Sequence, residues 1–382
     1  MILASISIWS ILLFIVSIGL LITIHELGHF SMAKLFNVYV NEFSIGFGPQ
    51  LFKKKKGETT YSLRAIPLGG YVSMFGEGME VEDNSIPQER SLLGIKKWKR
   101  AIIMVAGITL NFLLGFLLFF VNNAFFPQAT NTNQITIAAD SNIANKTSIE
   151  TGDYIIKLEK ECTIDGANAC SALKKGDIKD VNDLWASEYG LTYTADTMPK
   201  TTDDVMILTF TYSKDASGSN PKVESLTLKP VMRDGELAWE TIGVSRYFAR
   251  LGSFGKVMST TASDFGESTV LIAKTLGGLF IGKNWDQIGG PVAILSTSSM
   301  VLENYNFGMY IFLWATISVN LAIFNLLPFP GLDGWHLLVV AIEGITKKEV
   351  PEKVKNIVSA IGMILLFGLM IFVTGRDIIG LF

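Results

Sequence analysis

Two histidines and a glutamate stand together near the start of the chain, in the run Thr23-Ile24-His25-Glu26-Leu27-Gly28-His29-Phe30. On a helix His25 and His29 fall one turn apart on a shared face, so both imidazoles can reach one zinc ion (Zn2+). Glu26, beside the pair, is placed to act as general base on a water at that metal, which is the chemistry of a metal-assisted hydrolase. A catalytic zinc usually takes three protein ligands and leaves one position open. The motif supplies two. The chain has one other histidine, His336, and an aspartate three residues before it, Asp333.

The elements that carry these residues are read from hydropathy. His25 lies in an apolar run that starts at Ile2 and holds no charge before the motif, long enough to cross a bilayer. Ionisable groups within a spanning helix are costly and mark function. Further apolar segments cover residues 101–121, 305–342 and 357–374, and in 305–342 Asp333 is the only formal charge. That third segment is too long for one span, and Asn325-Leu326-Leu327-Pro328-Phe329-Pro330-Gly331-Leu332-Asp333-Gly334 breaks it. Prolines and glycines release backbone groups there, which is tolerated at membrane depth only inside protein or beside a wet cavity. The break can aim Asp333 across at the first helix, and a carboxylate offsets the charge of the dication. Asp333 is therefore the expected third ligand, and His336, where an apolar helix resumes, is expected to pack beside the site.

Composition agrees with four spans plus a polar domain. The 382 residues are 49% hydrophobic with mean hydropathy +0.38, which suits a membrane protein in contact with the lipid bilayer. A net charge of −3 argues against nucleic acid as a partner. The first run lacks a basic n-region and a cleavage site, so it reads as a retained helix. Lysines 53–56, Lys96, Lys97, Lys99 and Arg100 lie between the first two spans, and Lys347, Lys348, Lys353 and Lys355 precede the fourth. By the positive-inside rule both loops are cytoplasmic, and residues 122–250 emerge outside.

Residues 37–75 read as a strand hairpin with glycine kinks at Gly46 and Gly48, a turn at lysines 53–56 with Gly57, and a dip toward the site. Short alternating runs at 134–137, 154–158 and 205–212 make 122–250 a β-rich folded domain with a hairpin tip at 213–221. Residues 270–281 are too short to span and read as an interfacial amphipathic helix, followed by Gly289-Gly290-Pro291-Val292 as a turn. Cys162 and Cys170 lack the spacing of a second zinc site, and a local disulfide and two free thiols both remain open.

Taken together these residues resemble the site-2 protease family, most closely its bacterial regulator-of-sigma-E type. His25-Glu26-Leu27-Gly28-His29 matches the family's zinc helix, residues 43–49 its glycine-bearing β-loop, and Ile66-Pro67-Leu68-Gly69-Gly70-Tyr71-Val72 the strand after it. Ala106-Gly107 with Asn111-Phe112 is similar to the second-helix signature, with Ile108 where a proline is usual. Gly290-Pro291-Val292 and Ser318-Val319-Asn320-Leu321 also match. Asn325, Pro328, Pro330, Leu332, Asp333 and Gly334 fit the N-x-x-P-x-P-x-L-D-G element, with Trp335 in place of the next glycine. The resemblance implies a zinc-dependent intramembrane endopeptidase with His25, His29 and Asp333 on the metal and Glu26 as base. It also implies Asn325, Pro328, Pro330, Gly46 and Gly48 as substrate-binding positions. Substrates would be single-pass transmembrane proteins, such as anti-sigma factors already cut outside the membrane, or signal-peptide remnants. The setting would be the bacterial inner (cytoplasmic) membrane.

In such proteins the external domain is a PDZ module, and residues 143–158, with Glu150-Thr151-Gly152-Asp153, resemble one of its elements; there is room for one module, with an insertion at 162–176. The expected fold is thus a polytopic α-helical membrane protein: four transmembrane helices, a membrane-associated β-hairpin and one external PDZ-like α+β domain. Residues 1–126 hold helices one and two with the zinc motif and hairpin, 127–235 the external domain, 236–304 a linker with the interfacial helix, and 305–382 helices three and four. A rival reading is an inactive membrane scaffold presenting the PDZ-like domain, against which the intact Glu26 speaks. A metal-dependent transporter, the third reading, is disfavoured by the lack of internal repeats.

Overall fold

The structure, a computed structural model, describes residues 7–76, 86–129, 132–139, 141–168, 176–178, 183, 191, 197–233, 235–283, 285, 288–304 and 306–379. Ile2 and Tyr305, where two apolar segments are expected to begin, lie outside the described residues, as do Cys170 and residues 169–175 of the insertion. The chain divides into two compact units, Met1–Phe126 with Gly252–Phe382, and Pro127–Leu251. In the first unit the chain forms α1 (Ile8–Leu35), β1 (Val40–Lys56), β2 (Thr59–Met74) and α2 (Lys97–Phe125). The second unit holds β3 (Gln128–Ala129), β4 (Ile135–Ile137), α3 (Asn142–Lys146), β5 (Tyr154–Ile164), β6 (Ala167–Asn168), β7 (Gly176–Asp177) and β8 (Val205–Ser213). It continues with β9 (Lys222–Leu228), β10 (Pro230–Arg233), β11 (Glu236–Trp239), β12 (Val244–Arg246) and β13 (Phe248–Ala249). The first unit then resumes with α4 (Phe254–Phe280), α5 (Pro291–Asn304), α6 (Phe307–Leu326), α7 (Asp333–Thr346) and α8 (Glu352–Ile379).

Four helices, α1, α2, α6 and α8, are long and apolar enough to cross a membrane. Their ends follow from local chemistry. The Ser7 hydroxyl caps α1 by accepting from the Ser10 N–H at 3.1 Å, and Asn306 caps α6 through Met309 N–H at 3.1 Å. The α6 helix stops because Pro328 follows: Leu327 is pushed to extended backbone (ψ 138°). The chain then turns through Gly331 (φ +97°) and re-enters a helix at Asp333.

At the centre of this unit α2 packs against α1 and α6, with Phe119, Ala315 and Val319 fully buried. The Ser318 hydroxyl donates to the Asn111 carbonyl at 2.8 Å across the α2–α6 contact. Farther along, the buried Glu343 carboxylate meets Arg100 at 3.2 Å and Lys355 at 2.6 Å, so a charge removed from water is paired on both sides.

Three expectations in this unit need correction. Lysines 53–56 are strand, not turn: β1 pairs in register as far as Lys56↔Thr59, which leaves Gly57 (φ +63°) and Glu58 to turn the hairpin. The helix expected at 270–281 begins at Phe254, with Ser253 capping it through Lys256 N–H at 3.3 Å. Its polar first turns hid it from a hydropathy reading, yet they have partners, since Asn123 Nδ2 donates to Asp264 Oδ2 at 2.7 Å and Thr261 Oγ1 at 3.3 Å. Pro291 and Val292 are not a turn but the first residues of α5, where a proline's missing N–H costs nothing. The Asp377 carboxylate accepts from Gly290 N–H at 2.8 Å and Ala293 N–H at 3.1 Å there.

In the unit Pro127–Leu251, β5 pairs antiparallel with β6, β7 and β8, and β8 with β9. Along β8 the alternate residues Met206, Leu208, Phe210 and Tyr212 are buried, packing on Ile155, Leu158, Leu226, Leu228 and Trp239. Residues 236–251, expected as the first part of the linker 236–304, instead belong to this unit. Its β12 pairs with β4 and β13 with β3, partners more than a hundred residues earlier that no local pattern reveals. Cys162 is disulfide-bonded, and Cys170 is the one other cysteine in the sequence.

Candidate metal centre

His25 and His29 sit on α1 with Nε2 atoms 3.1 Å apart. Asp333, the first residue of α7, brings Oδ2 to 3.0 Å from His25 Nε2 and 3.2 Å from His29 Nε2. These are the residues that could share a metal among the described residues. Two donors held 2.0–2.1 Å from one tetrahedral ion lie about 3.3–3.4 Å apart, so the three spacings suit a common zinc to within a few tenths of an ångström. Asp333 Oδ2 is buried and has no hydrogen-bond partner among the described residues, although two imidazole nitrogens approach it. Two imidazoles and one carboxylate are the donor chemistry zinc takes in catalytic sites. The residues fit the ion.

Helix α2 forms the wall behind the histidines. Gly28 on α1 meets the Ala106 carbonyl so closely that an added Cβ would stand 2.5 Å from its oxygen. At Gly107 a Cβ would stand 2.5 Å from His29 Nε2 and 2.9 Å from His25 Cε1. One helical turn to either side, α2 supplies a partner for each ring. His29 Nδ1 lies 2.8 Å from the Ile103 carbonyl, and His25 Nδ1 lies 3.2 Å from Asn111 Nδ2. Ile103, Gly107 and Asn111, spaced by four, are one face of α2, antiparallel to the His25–His29 face of α1.

Glu26 is half-buried on the next position of α1, within electrostatic reach of His25, His29 and Asp333. Strand β2 passes it closely: a Cβ on Gly70 would lie 3.4 Å from Glu26 Cγ, and the carboxylate accepts from the Val72 N–H. Gly46 (φ +89°) and Gly48 (φ +80°) kink β1 where only glycine takes such backbone readily, and Gly46 sits against the Ile66 carbonyl of β2. Asn325 lies half-buried in the last turn of α6, with no hydrogen bond from its side chain to another described residue. Pro328 is exposed, while Pro330 packs against Gly362 of α8. His336 does not join the cluster; it lines a cavity of about 70 Å³ with Arg100, Met104 and Ser359. Trp335 is half-buried in the first turn of α7, its indole N–H without a partner among the described residues.

The sequence reading did not assign Ile103, Gly107 and Asn111 to the metal site. The available signal was Asn111, an amide within an apolar span at a four-residue spacing from a glycine.

Known sequences are similar to this chain over nearly its whole length. The model of peptidase family M50 matches residues 13–369. A Clostridium perfringens protein, provisionally named a zinc metalloprotease, is 35% identical over 368 residues that cover 94% of this chain and 95% of that protein. Similarly named proteins are 32% identical in Fusobacterium nucleatum over 97% of this chain and 99% of that one, and 30% identical in Rickettsia conorii over 98% and 99%. The class these matches and the apolar helices define is a multi-pass, zinc-dependent membrane metalloprotease. The chain belongs to peptidase family M50, the site-2 protease type.

Proposed function

We propose that His25, His29 and Asp333 hold the zinc, that Glu26 is the general base, and that the enzyme cleaves single-pass transmembrane segments within the bilayer. The observation that carries this reading is the convergence of three donor atoms, 3.0–3.2 Å apart, from α1 and α7, with Glu26 on the adjoining position. When bound, zinc supplies positive charge that polarises a peptide carbonyl and makes water easier to deprotonate. Glu26 takes the proton of the attacking water and returns it to the amide nitrogen as the C–N bond breaks. Asn325, free of other side-chain bonds among the described residues, donates to the substrate backbone or the developing oxyanion.

A helical substrate hides its carbonyls in internal hydrogen bonds and must unwind to be cut. The approach of β2 to Glu26 supports a role for the hairpin as a strand edge that holds the opened chain, with Gly46 and Gly48 shaping it. Pro328 and Pro330 keep the α6–α7 break open on the other side. By family resemblance the substrates are anti-sigma factors already cut outside the membrane, or signal-peptide remnants, in regulated intramembrane proteolysis. The lysine-rich loops support a reading in which the hairpin side faces the cytoplasm of a bacterium and residues 127–251 lie outside the inner membrane. We read the unit Pro127–Leu251 as a PDZ-like module; the short α3, the Gly152 turn (φ +98°) and the following β5 support it.

The test is incubation of the purified protein with a panel of single-pass helices, with and without a zinc chelator. The intact protein should cut a subset, the chelator should stop it, and zinc should restore it. Glu26→Gln should keep its zinc and lose about 10²–10⁴-fold in rate. Undiminished cleavage by that variant would remove Glu26 as the base, and zinc binding without cleavage of any helix would favour the scaffold.

A further inference from the structure

The two histidines of the motif are held differently by α2. His29 Nδ1 faces a backbone carbonyl, the Ile103 oxygen at 2.8 Å, which can only accept. Its ring therefore carries a hydrogen on Nδ1, and its Nε2 lone pair points toward His25 and Asp333. His25 Nδ1 instead faces a side-chain amide, that of Asn111, fully buried on α2 with Nδ2 at 3.2 Å and Oδ1 without a partner among the described residues. An amide offers a donor at one end and an acceptor at the other in nearly the same shape. Facing Nδ2, His25 must accept at Nδ1 and carry its hydrogen on Nε2, toward Asp333 Oδ2 at 3.0 Å. Facing Oδ1, it donates from Nδ1 and turns the Nε2 lone pair to the same place.

A metal-binding Nε2 requires the second arrangement. We propose that Asn111 is a positioning residue of the metal centre: turned so that Oδ1 accepts from His25 Nδ1–H, it fixes the ring in the tautomer that binds zinc through Nε2. This inference rests on His25, His29 and Asp333 being the zinc ligands. Ile103 holds His29 in the binding tautomer at all times, because a carbonyl has no donor end. Asn111 holds His25 there only in one of its two orientations. Partners of this kind on ligating histidines typically contribute 10–100-fold to metal affinity. The four-residue spacing of Ile103, Gly107 and Asn111 accounts for the geometry: glycine lets the helices touch, and the flanking turns meet the two rings.

The test measures zinc affinity of the full-length purified protein by competition with a chelator, with folding checked by thermal unfolding. Asn111→Asp keeps an acceptor, Asn111→Leu keeps the volume without one, and Asn111→Ala removes both. Zinc should bind about 10–100-fold more weakly to the Leu and Ala variants, while Asn111→Asp stays close to the parent. Parental affinity in Asn111→Leu would reduce the residue to packing and overturn the proposal, as would an Asn111→Asp as weak as Asn111→Leu. Should Asn111→Ala fail to fold, the Asp and Leu variants decide between them. His25→Ala and Asp333→Ala run in the same titration separate the two readings. If these keep zinc, the ligand assignment fails; if they lose it while Asn111→Leu does not, only the role of Asn111 fails.

Discussion

The metal centre has two walls built on opposite principles. The histidine wall is two regular helices, α1 and α2, pressed together at Gly28 and Gly107 until an added Cβ would stand 2.5 Å from a neighbouring atom. The aspartate wall is a helix interrupted: α6 ends at Leu326, Gly331 turns at φ +97°, and α7 begins at Asp333. At Gly334 a Cβ would lie 2.3 Å from the Leu326 and Leu327 carbonyls, so the turn is tight as well as irregular. In the first wall regular backbone is brought unusually close. In the second, regularity is given up so that one carboxylate can leave its own helix line and meet another. The histidine wall therefore tolerates no added volume, and the aspartate wall tolerates no straightening.

The largest expected effect tests whether the second wall supplies a ligand at all. Asp333→Ala should strip zinc and abolish cleavage, because Oδ2 is the third donor within 3.2 Å of both Nε2 atoms. His336→Ala, which alters the lining of a cavity within electrostatic reach of Asp333 and His29, should keep zinc and lose activity in part. Metal analysis of the two purified variants decides the matter: full zinc in Asp333→Ala with none in His336→Ala reverses the assignment.

Next comes the histidine wall. Gly107→Ala drives a methyl toward both rings and should lower the cleavage rate by about 10²-fold, as a misplacement of about 1 Å at a reacting centre does. A rate near that of the parent would show that α1 and α2 can part without disturbing the histidines, and the contrast between the walls would collapse.

The smallest effect is expected at the turn. Gly331→Ala strains a left-handed backbone and crowds Met363 at 3.1 Å, costing about 1–3 kcal/mol of stability. Thermal unfolding should register this, with a milder loss of activity than Gly107→Ala. A greater loss of activity in Gly331→Ala would make the interrupted helix the stricter of the two walls.

Much of this was legible in the chain itself. His25, Glu26 and His29 declare a site because helix periodicity is local: four residues make a turn wherever the helix lies. The break before Asp333 is equally local, since Pro328 and Pro330 forbid a helix whatever surrounds them. Four apolar spans follow from the order of apolar residues along the chain, and the helices observed overlap all four expected segments.

Tertiary structure decided the rest, and in each case the reason is a partner distant in sequence. That β1 runs on through its lysines, which a local reading takes for a turn because four charges stand together, depends on the strand opposite. The polar start of α4 is a helix because Asn123 of α2 receives it, and β12 and β13 are strands because β4 and β3 wait more than a hundred residues before them. The same holds at the metal. Which atoms face His25 and His29 from behind is set by the depth to which Gly28 and Gly107 let two helices approach, a distance that appears in neither helix alone.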